Sequence, residues 1–356
     1  MRKHILVSFF LTAIFASSCN STSGQGEQKK DDLSVEFVSH ETDKKIDVMI
    51  DGQLFTCLKW PEGVYKPVLH PILTSAGTII TRGFPLEPRP GERPDHRHHV
   101  GNWLNYGNVN GFDFWGNGHS GERSDIGGEI KLLEVEKLSP GKGEGVIITK
   151  GSWVDPDDNE LLAEKTEYHF IAKGATRIID RITTLKASTK NVVLEDTKEG
   201  MFAVRVARQL ELPSEGDITL LDAQGNPTIV TAMSNEGISG NYLSSEGATG
   251  LEVWGTRAKW MNLYGNIAEE KISLVICDHP KNQSYPTYWH ARGYGLFSAN
   301  PLGAKDFTNG TEEVNYSIPS GQSVTFRYRL VISSNAHLTS EEINTLTQEF
   351  ASLYQW

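Results

Sequence analysis

Three stretches of this chain crowd together side chains that bind metals, move protons or grip sugars. The densest is "PDHRHHVGNW" at 94–103, where Asp95, His96, Arg97, His98 and His99 are consecutive. In an extended chain, residues i and i+2 share a face. His96 and His98 would then grip one divalent metal ion, with a third ligand from elsewhere, and His99 would point the other way. Two other readings fit the same residues: a loop that binds substrate without metal, and a polar cluster that only ties the loop together. Imidazole titrates near neutral pH, which also makes His98 and His99 candidate acids or bases.

The second stretch is "CDHPKNQSYPTYWHARGYGLFSANPLG" at 277–303. Its prolines and glycines impose a rigid, irregular path. Trp289 offers a flat face for the C–H side of a sugar ring, His290 a proton carrier, and Arg292 a fork of donors for hydroxyls or a carboxylate. Asp278, His279 and Asn300 add polar groups, and Trp103, at the end of the histidine stretch, adds a second aromatic face. A loop whose polar groups only satisfy its own backbone is the alternative.

The third stretch, "LEDTKEGMFAVRVA" at 194–207, places Asp196, Lys198 and Glu199 before a strand. There Phe202, Val204 and Val206 alternate with Ala203, Arg205 and Ala207, so Arg205 lies on the small-residue face. A carboxylate flanked by lysine and arginine can stay ionised and take a proton, which makes Glu199 the candidate partner of the histidines. A salt-bridged turn at a sheet edge fits equally well. Arg82, in "ITRGFP", is a further candidate for holding substrate oxygens. Weaker signals are Asp113, Trp115, His119 and Glu122 in "NGFDFWGNGHSGE". There is no glycine-rich phosphate fingerprint, no G-x-S-x-G and no HExxH.

The elements that must hold these groups are strands. "KIDVMIDGQLFTCLKW" reads as a hairpin around Asp51-Gly52, because both turn positions tolerate positive φ. "ELLAEKTEYHFIAKGATRIIDRITTLKA" reads as two long strands around Gly174, and several further strand pairs follow. Helix is scarce. The clear case is "LTSEEINTLTQEFASLYQ", with a Thr339/Glu342 capping box and an apolar stripe of Ile343, Leu346, Phe350 and Leu353. The pattern predicts an all-β fold, a large antiparallel β-sandwich of stacked sheets with a C-terminal helix. Residues 84–125 show no clean period and read as a long functional loop.

The N-terminus has Arg2 and Lys3, an apolar run over 5–15, and small residues before Cys19. This is a secretory signal, and its end resembles the lipobox of bacterial lipoproteins, which makes Cys19 the lipidation site. Residues 1–19 are then signal peptide and lipobox, 20–32 a polar tether, and 33–356 a single β-sandwich domain. Asn20 after the cysteine points to the periplasmic side of the outer membrane, with membrane contact through the lipid anchor only. Lys and Arg total 34 against 45 Asp and Glu, a net charge of -11, which argues against nucleic acid as a partner. Cys57 and Cys277 read as two buried thiols, with a disulfide as the alternative.

Taken together, "RGFP", "DHRHHVGNW", "NGFDFW", "DTKEGMFAVRVA", "DHPKNQSYPTYWHARGYGLFSANPLG" and "FRYRLVI" resemble a bacterial domain family long carried under a methane-oxygenase (PmoA-like) label and treated as of unknown function. The resemblance spans nearly the whole mature chain. The oxygenase label itself does not suit this sequence, which has no apolar stretch after the signal long enough for a transmembrane helix. The resemblance implies carbohydrate metabolism and a fold like the β-supersandwich of galactose-mutarotase-like proteins. The expected function is an envelope-anchored carbohydrate-active enzyme, of lyase, hydrolase or epimerase type. It would use His98, His99, His290 and Glu199 on a sugar or oxidised sugar, assisted by a divalent ion. The competing expectation is a glycan-binding lipoprotein without catalysis.

Overall fold

Ile46, Val48 and Ile50 alternate along Lys45–Ile50 and are all buried, which makes one face of this strand the start of a core. Asp51 and Gly52 turn the chain with φ of 48° and 72°, and Gln53–Lys59 pairs back antiparallel, as the Asp-Gly signal predicts. The computed structural model describes residues 33–231 and 235–356. Residues 1–32, where the sequence leads one to expect a signal peptide, the Cys19 lipidation site and a tether, lie outside the described residues.

The strands assemble into two large sheets. The nine-stranded sheet runs in the order 288–291, 296–300, 200–205, 102–106, 68–72, 53–59, 45–50, 34–40, 141–142. The eight-stranded sheet runs 241–244, 260–267, 270–278, 323–334, 176–187, 160–173, 144–154, 129–139. Pairing within both is antiparallel, so the all-β sandwich read from the sequence is the architecture observed. The main core joins both sheets: Leu104, Phe202 and Phe297 from one meet Phe170, Ile179 and Leu330 from the other. Phe202 stacks on Tyr328 at 5.0 Å across this interface.

The helix Ser340–Ser352 carries the expected capping box. Ile343 and Phe350 pack on Ile178, Trp260, Val275 and Val331, residues of the eight-stranded sheet. Leu346 is only partly buried and Leu353, past the helix end, is exposed, so the apolar stripe is narrower than its spacing promised. Arg329 grips Asp180 at 2.7 and 2.8 Å and donates to the Leu346 carbonyl, pinning the helix to the sheet. Cys57 and Cys277 are free and buried. No helix among the described residues is long and apolar enough to cross a membrane.

One element departs from the sequence reading. Inside the supposed loop at 84–125, Asn102–Tyr106 is a fully buried strand of the nine-stranded sheet. Both of its faces are covered, so it lacks the polar-apolar alternation that marks a half-exposed strand. Its outer side belongs to a second apolar cluster, in which Val68, Trp103, Ala203 and Leu296 are roofed by Val64, Val100 and Trp115. That roofed outer face of the nine-stranded sheet carries the candidate site.

Candidate functional site

Alternation along two adjacent strands decides which side chains reach this face. In Tyr288–Ala291, Trp289 and Ala291 enter the inter-sheet core, so His290 points to the other side. In Gly200–Arg205, Phe202 and Val204 enter the same core, so Ala203 and Arg205 point outward. His290 then joins His96, His98, His99 and His119, with Asp113, Trp115, Lys198, Glu199, Arg292 and Tyr294, around one cleft of about 760 Å³. That volume falls in the range of about 300–1,000 Å³ usual for small-molecule sites. The three polar stretches of the sequence meet there.

The histidine loop is built around one buried arginine. Arg82, 1 % exposed, donates to the carbonyls of Arg93, Asp95, His96 and His99 at 2.8–3.1 Å and to Asp95 Oδ1 at 2.6 Å. Arg205 donates to the same carboxylate oxygen at 2.7 Å. Burial alone would raise the Asp95 carboxyl, but the bond to His96 and the two guanidinium groups hold it well below the usual carboxylate range. Arg82 and Arg205 were expected to hold substrate. The structure instead spends Arg82 on five internal acceptors and buries Arg205 completely. The peptide between His96 and its neighbours is not extended, since His96 has φ of 40°. The same-face argument for a His96/His98 ligand pair loses its premise. His96 stacks instead between His99 (4.9 Å, 7°) and Tyr294 (5.0 Å, 5°).

His99 has a fixed tautomer. Arg205 Nη1 lies 3.4 Å from its Nδ1, and a guanidinium only donates, so Nδ1 accepts and the proton sits on Nε2. Nε2 is buried with no partner among the described residues, and neither His290 nitrogen makes a well-aligned bond, although the Lys198 backbone approaches that ring. Buried polar atoms are rarely left unpaired, and here they line a cleft. Burial, helped by Lys66, holds His98 down to about 2. Burial, with Arg292 and Lys198, holds His290 down to about 3, and His99 lies well below its ordinary value. In the resting cleft these three rings are neutral donors and acceptors at pH 7, not imidazolium acids.

The carboxylates divide by what already occupies them. Asp196 accepts the backbone N–H groups of Lys305 and Val314. Asp113 Oδ1 accepts those of Trp115 and Gly116, both at 2.8 Å. Among the described residues Glu199 takes no backbone donor: Lys198 Nζ lies 3.0 Å from Oε1, and His290 Nδ1 lies 4.0 Å from Oε2. The chain packs this carboxylate in with glycines. A Cβ at Gly107 would lie 2.7 Å from that of Glu199, and one at Gly200 would lie 2.6 Å from the Tyr106 ring. Asn300 steadies the same turn, donating to the Thr197 carbonyl at 2.9 Å and accepting from Leu302.

Several residues expected to touch substrate lie elsewhere. Trp289 is in the inter-sheet core, because strand alternation sends it to the face opposite His290. Trp103 lies beneath His99, stacked at 5.3 Å and 0 % exposed. Asp278 is a buried acceptor for the N–H groups of His279 and Thr287 and for Asn282. His279 bonds the Leu353 carbonyl near the C-terminal helix. Asn300 supports the turn from behind. The aromatic walls of the cleft are Trp115, stacked 6.2 Å from His290, and Tyr294. Asn108, which no pattern singled out, lines it too.

The neutral state of His290 has a measurable consequence. In the unfolded chain it titrates near its ordinary value of about 6.5, and in the fold at about 3. Between these values the unfolded state holds the extra proton, so folding stability falls as pH drops below about 6.5. Denaturant titrations at pH 7 and 5 should show a slope for the parent that exceeds that of His290→Gln by up to about 1.4 kcal/mol per pH unit. Equal slopes would mean that His290 is protonated in the fold.

Residues 45–348 match a family of unknown function (DUF6807), and the chain belongs to it. The methane-oxygenase label finds no support among these matches. No curated protein matches the chain. Among solved structures it is similar to the galactosidase domain of an alpha-galactosidase-sucrose kinase, at 9 % identity and TM-score 0.35, over 85 % of this chain and 42 % of that one. It is also similar to a putative aldose 1-epimerase from Escherichia coli K12 (8 %, TM-score 0.31, 85 % and 99 % covered). A galactose mutarotase related enzyme from Lactobacillus acidophilus follows (8 %, TM-score 0.27, 85 % and 97 % covered). The chain spans less than half the length of the first of these proteins.

Proposed function

We propose that this member of a family of unknown function is a carbohydrate-active enzyme that removes a proton next to the carbonyl of an oxidised sugar. The observation that carries the reading is the pairing of one carboxylate free of backbone donors, Glu199, with buried imidazole nitrogens that have no partner of their own. Glu199 takes the proton from carbon. The C–H electron pair becomes the C=C bond of an enolate, the carbonyl π pair moves to oxygen, and the His99 Nε2–H, with its tautomer fixed by Arg205, stabilises that oxygen. The enolate then re-forms the carbonyl and expels an oxygen substituent at the β-carbon, which leaves with the proton Glu199 has just taken, giving elimination, or it regains a proton from solvent on the other face, giving epimerisation. Trp115 and Tyr294 supply the apolar faces against which a sugar ring stacks.

Glycoside hydrolysis asks for two carboxyl groups flanking the bond. Here Asp113 and Asp196 are each tied to backbone N–H groups, which favours the elimination or epimerisation chemistry. The competing reading is a glycan-binding protein that does no chemistry. Incubation with mixed glycans, uronic acids and keto-sugars separates them, since only an enzyme changes the product profile. An unchanged profile across the whole panel, with binding retained, would favour the binding protein.

The proposal extends to location. The basic start, apolar run and small residues before Cys19 support lipid anchoring on the periplasmic side of the outer membrane. Cys19→Ser is expected to yield folded protein that leaves the membrane fraction for the soluble periplasm. Continued sedimentation with membranes in high salt would count against the anchor.

A further inference from the structure

His98 and His119 approach the cleft from different segments, and their Nδ1 atoms face each other at 3.3 Å. The rings are tilted by 60° with centroids 5.3 Å apart. At 3.3 Å the pair can share one long hydrogen bond, with donor and acceptor set by the tautomers. Two imidazole nitrogens bound at about 2.0–2.1 Å to one tetrahedral ion stand roughly 3.3–3.4 Å apart. The spacing also matches two neighbouring vertices around a shared ion.

Both rings are held in place. The backbone carbonyl of His98 accepts from the buried Lys66 ammonium at 2.7 Å. His119 rides on a turn closed by its own N–H to the Gly116 carbonyl at 3.0 Å, and Gly118 takes a φ of 83°. Asp113 fixes the start of that turn through two backbone N–H groups. His96, the partner suggested by the sequence, is differently engaged. It is sandwiched between His99 and Tyr294, and its Nδ1 lies 3.4 Å from Asp95. Among the described residues, no group of three His, Cys, Asp or Glu is arranged around one ion. An ion on the pair would keep its other positions open to the cleft, with one protein ligand fewer than a usual catalytic zinc site.

We infer that His98 and His119 together bind one divalent transition-metal ion, and that its open positions take two adjacent oxygens of the substrate. The ligand chemistry is two neutral imidazoles without thiolate, which suits zinc and its first-row neighbours. A chelated hydroxy-ketone would have its carbonyl polarised by the ion while Glu199 takes the neighbouring proton. This second half rests on the proposed function above, whereas ion binding itself does not.

The test uses tag-free protein stripped with chelator and titrated with Zn²⁺ and Co²⁺, with bound metal measured by mass spectrometry. The expected result is one ion per chain, with the visible absorption of four-coordinate Co²⁺. His98→Ala and His119→Ala should each weaken binding at least tenfold. His119 is exposed, so its variant should melt like the parent and report on binding alone. His96→Ala and Glu199→Gln should keep the ion. No stoichiometric binding by the parent, or loss with His96→Ala but not with His119→Ala, would overturn the inference. A Glu199→Gln protein that binds the ion and turns over normally would sink the proposed base and leave the ion site standing.

Discussion

Glu199→Gln is expected to lower turnover by about 10²–10⁴-fold, the usual contribution of a positioned general base, with a melting temperature close to the parent's. Glutamine keeps the shape that packs against Gly107 but cannot take a proton. Its side chain would still meet Lys198 and His290, so substrate binding should change far less than kcat. The expectation is sharp because the other cleft carboxylates considered are committed. Asp196 and Asp113 each cap backbone N–H groups, and replacing either should mainly loosen its own turn. The check is initial-rate kinetics on the substrate identified by the product screen. A loss below about tenfold would mean that another group does the proton transfer.

The second large effect concerns stability. Arg82→Ala is expected to cost about 3–5 kcal/mol, because it strips a buried guanidinium from the carboxylate of Asp95 and from four backbone carbonyls. For a chain of this size that corresponds to a fall in melting temperature of roughly 5–10 °C. Arg82→Lys should recover little, since one ammonium cannot span five acceptors placed around a planar fork. The loop from Arg93 to His99 should lose protection first, readable as faster hydrogen exchange at those amides. A melting temperature within a degree of the parent would show that Asp95 and Arg205 hold the loop without Arg82.

The two cases also mark what a sequence can say about such a site. The hairpin at Asp51-Gly52 and the capped helix at Thr339 are local events, decided by residues a few positions apart, and they were readable directly. The three polar stretches were recognisable as irregular, and they do meet in one cleft. The roles of the arginines were not readable. Arg82 and Arg205 meet on Asp95 only because strand pairing brings distant segments together, and Arg82's other acceptors are main-chain carbonyls, which carry no residue-type signature. Trp289 beside His290 looked like a stacking face beside a base. Once Tyr288–Ala291 is known to be a strand, period-two alternation sends them to opposite faces. Asn102–Tyr106 was hidden because burial on both sides erases alternation. His119 lies in a glycine-rich stretch with no clean period, and its approach to His98 is a distance that no spacing rule supplies.

The central claim is proton removal from carbon beside a carbonyl, and solvent exchange reads that step without knowledge of the final product. The protein would be incubated in D₂O with a panel of keto-sugars and their unoxidised parents, and the C–H positions followed by NMR. Deuterium is expected to enter only next to the carbonyl, or into an elimination product, in at least one keto-sugar. None is expected with the parents and none with Glu199→Gln. Cleavage of unoxidised glycosides with no exchange in any keto-sugar would contradict the claim.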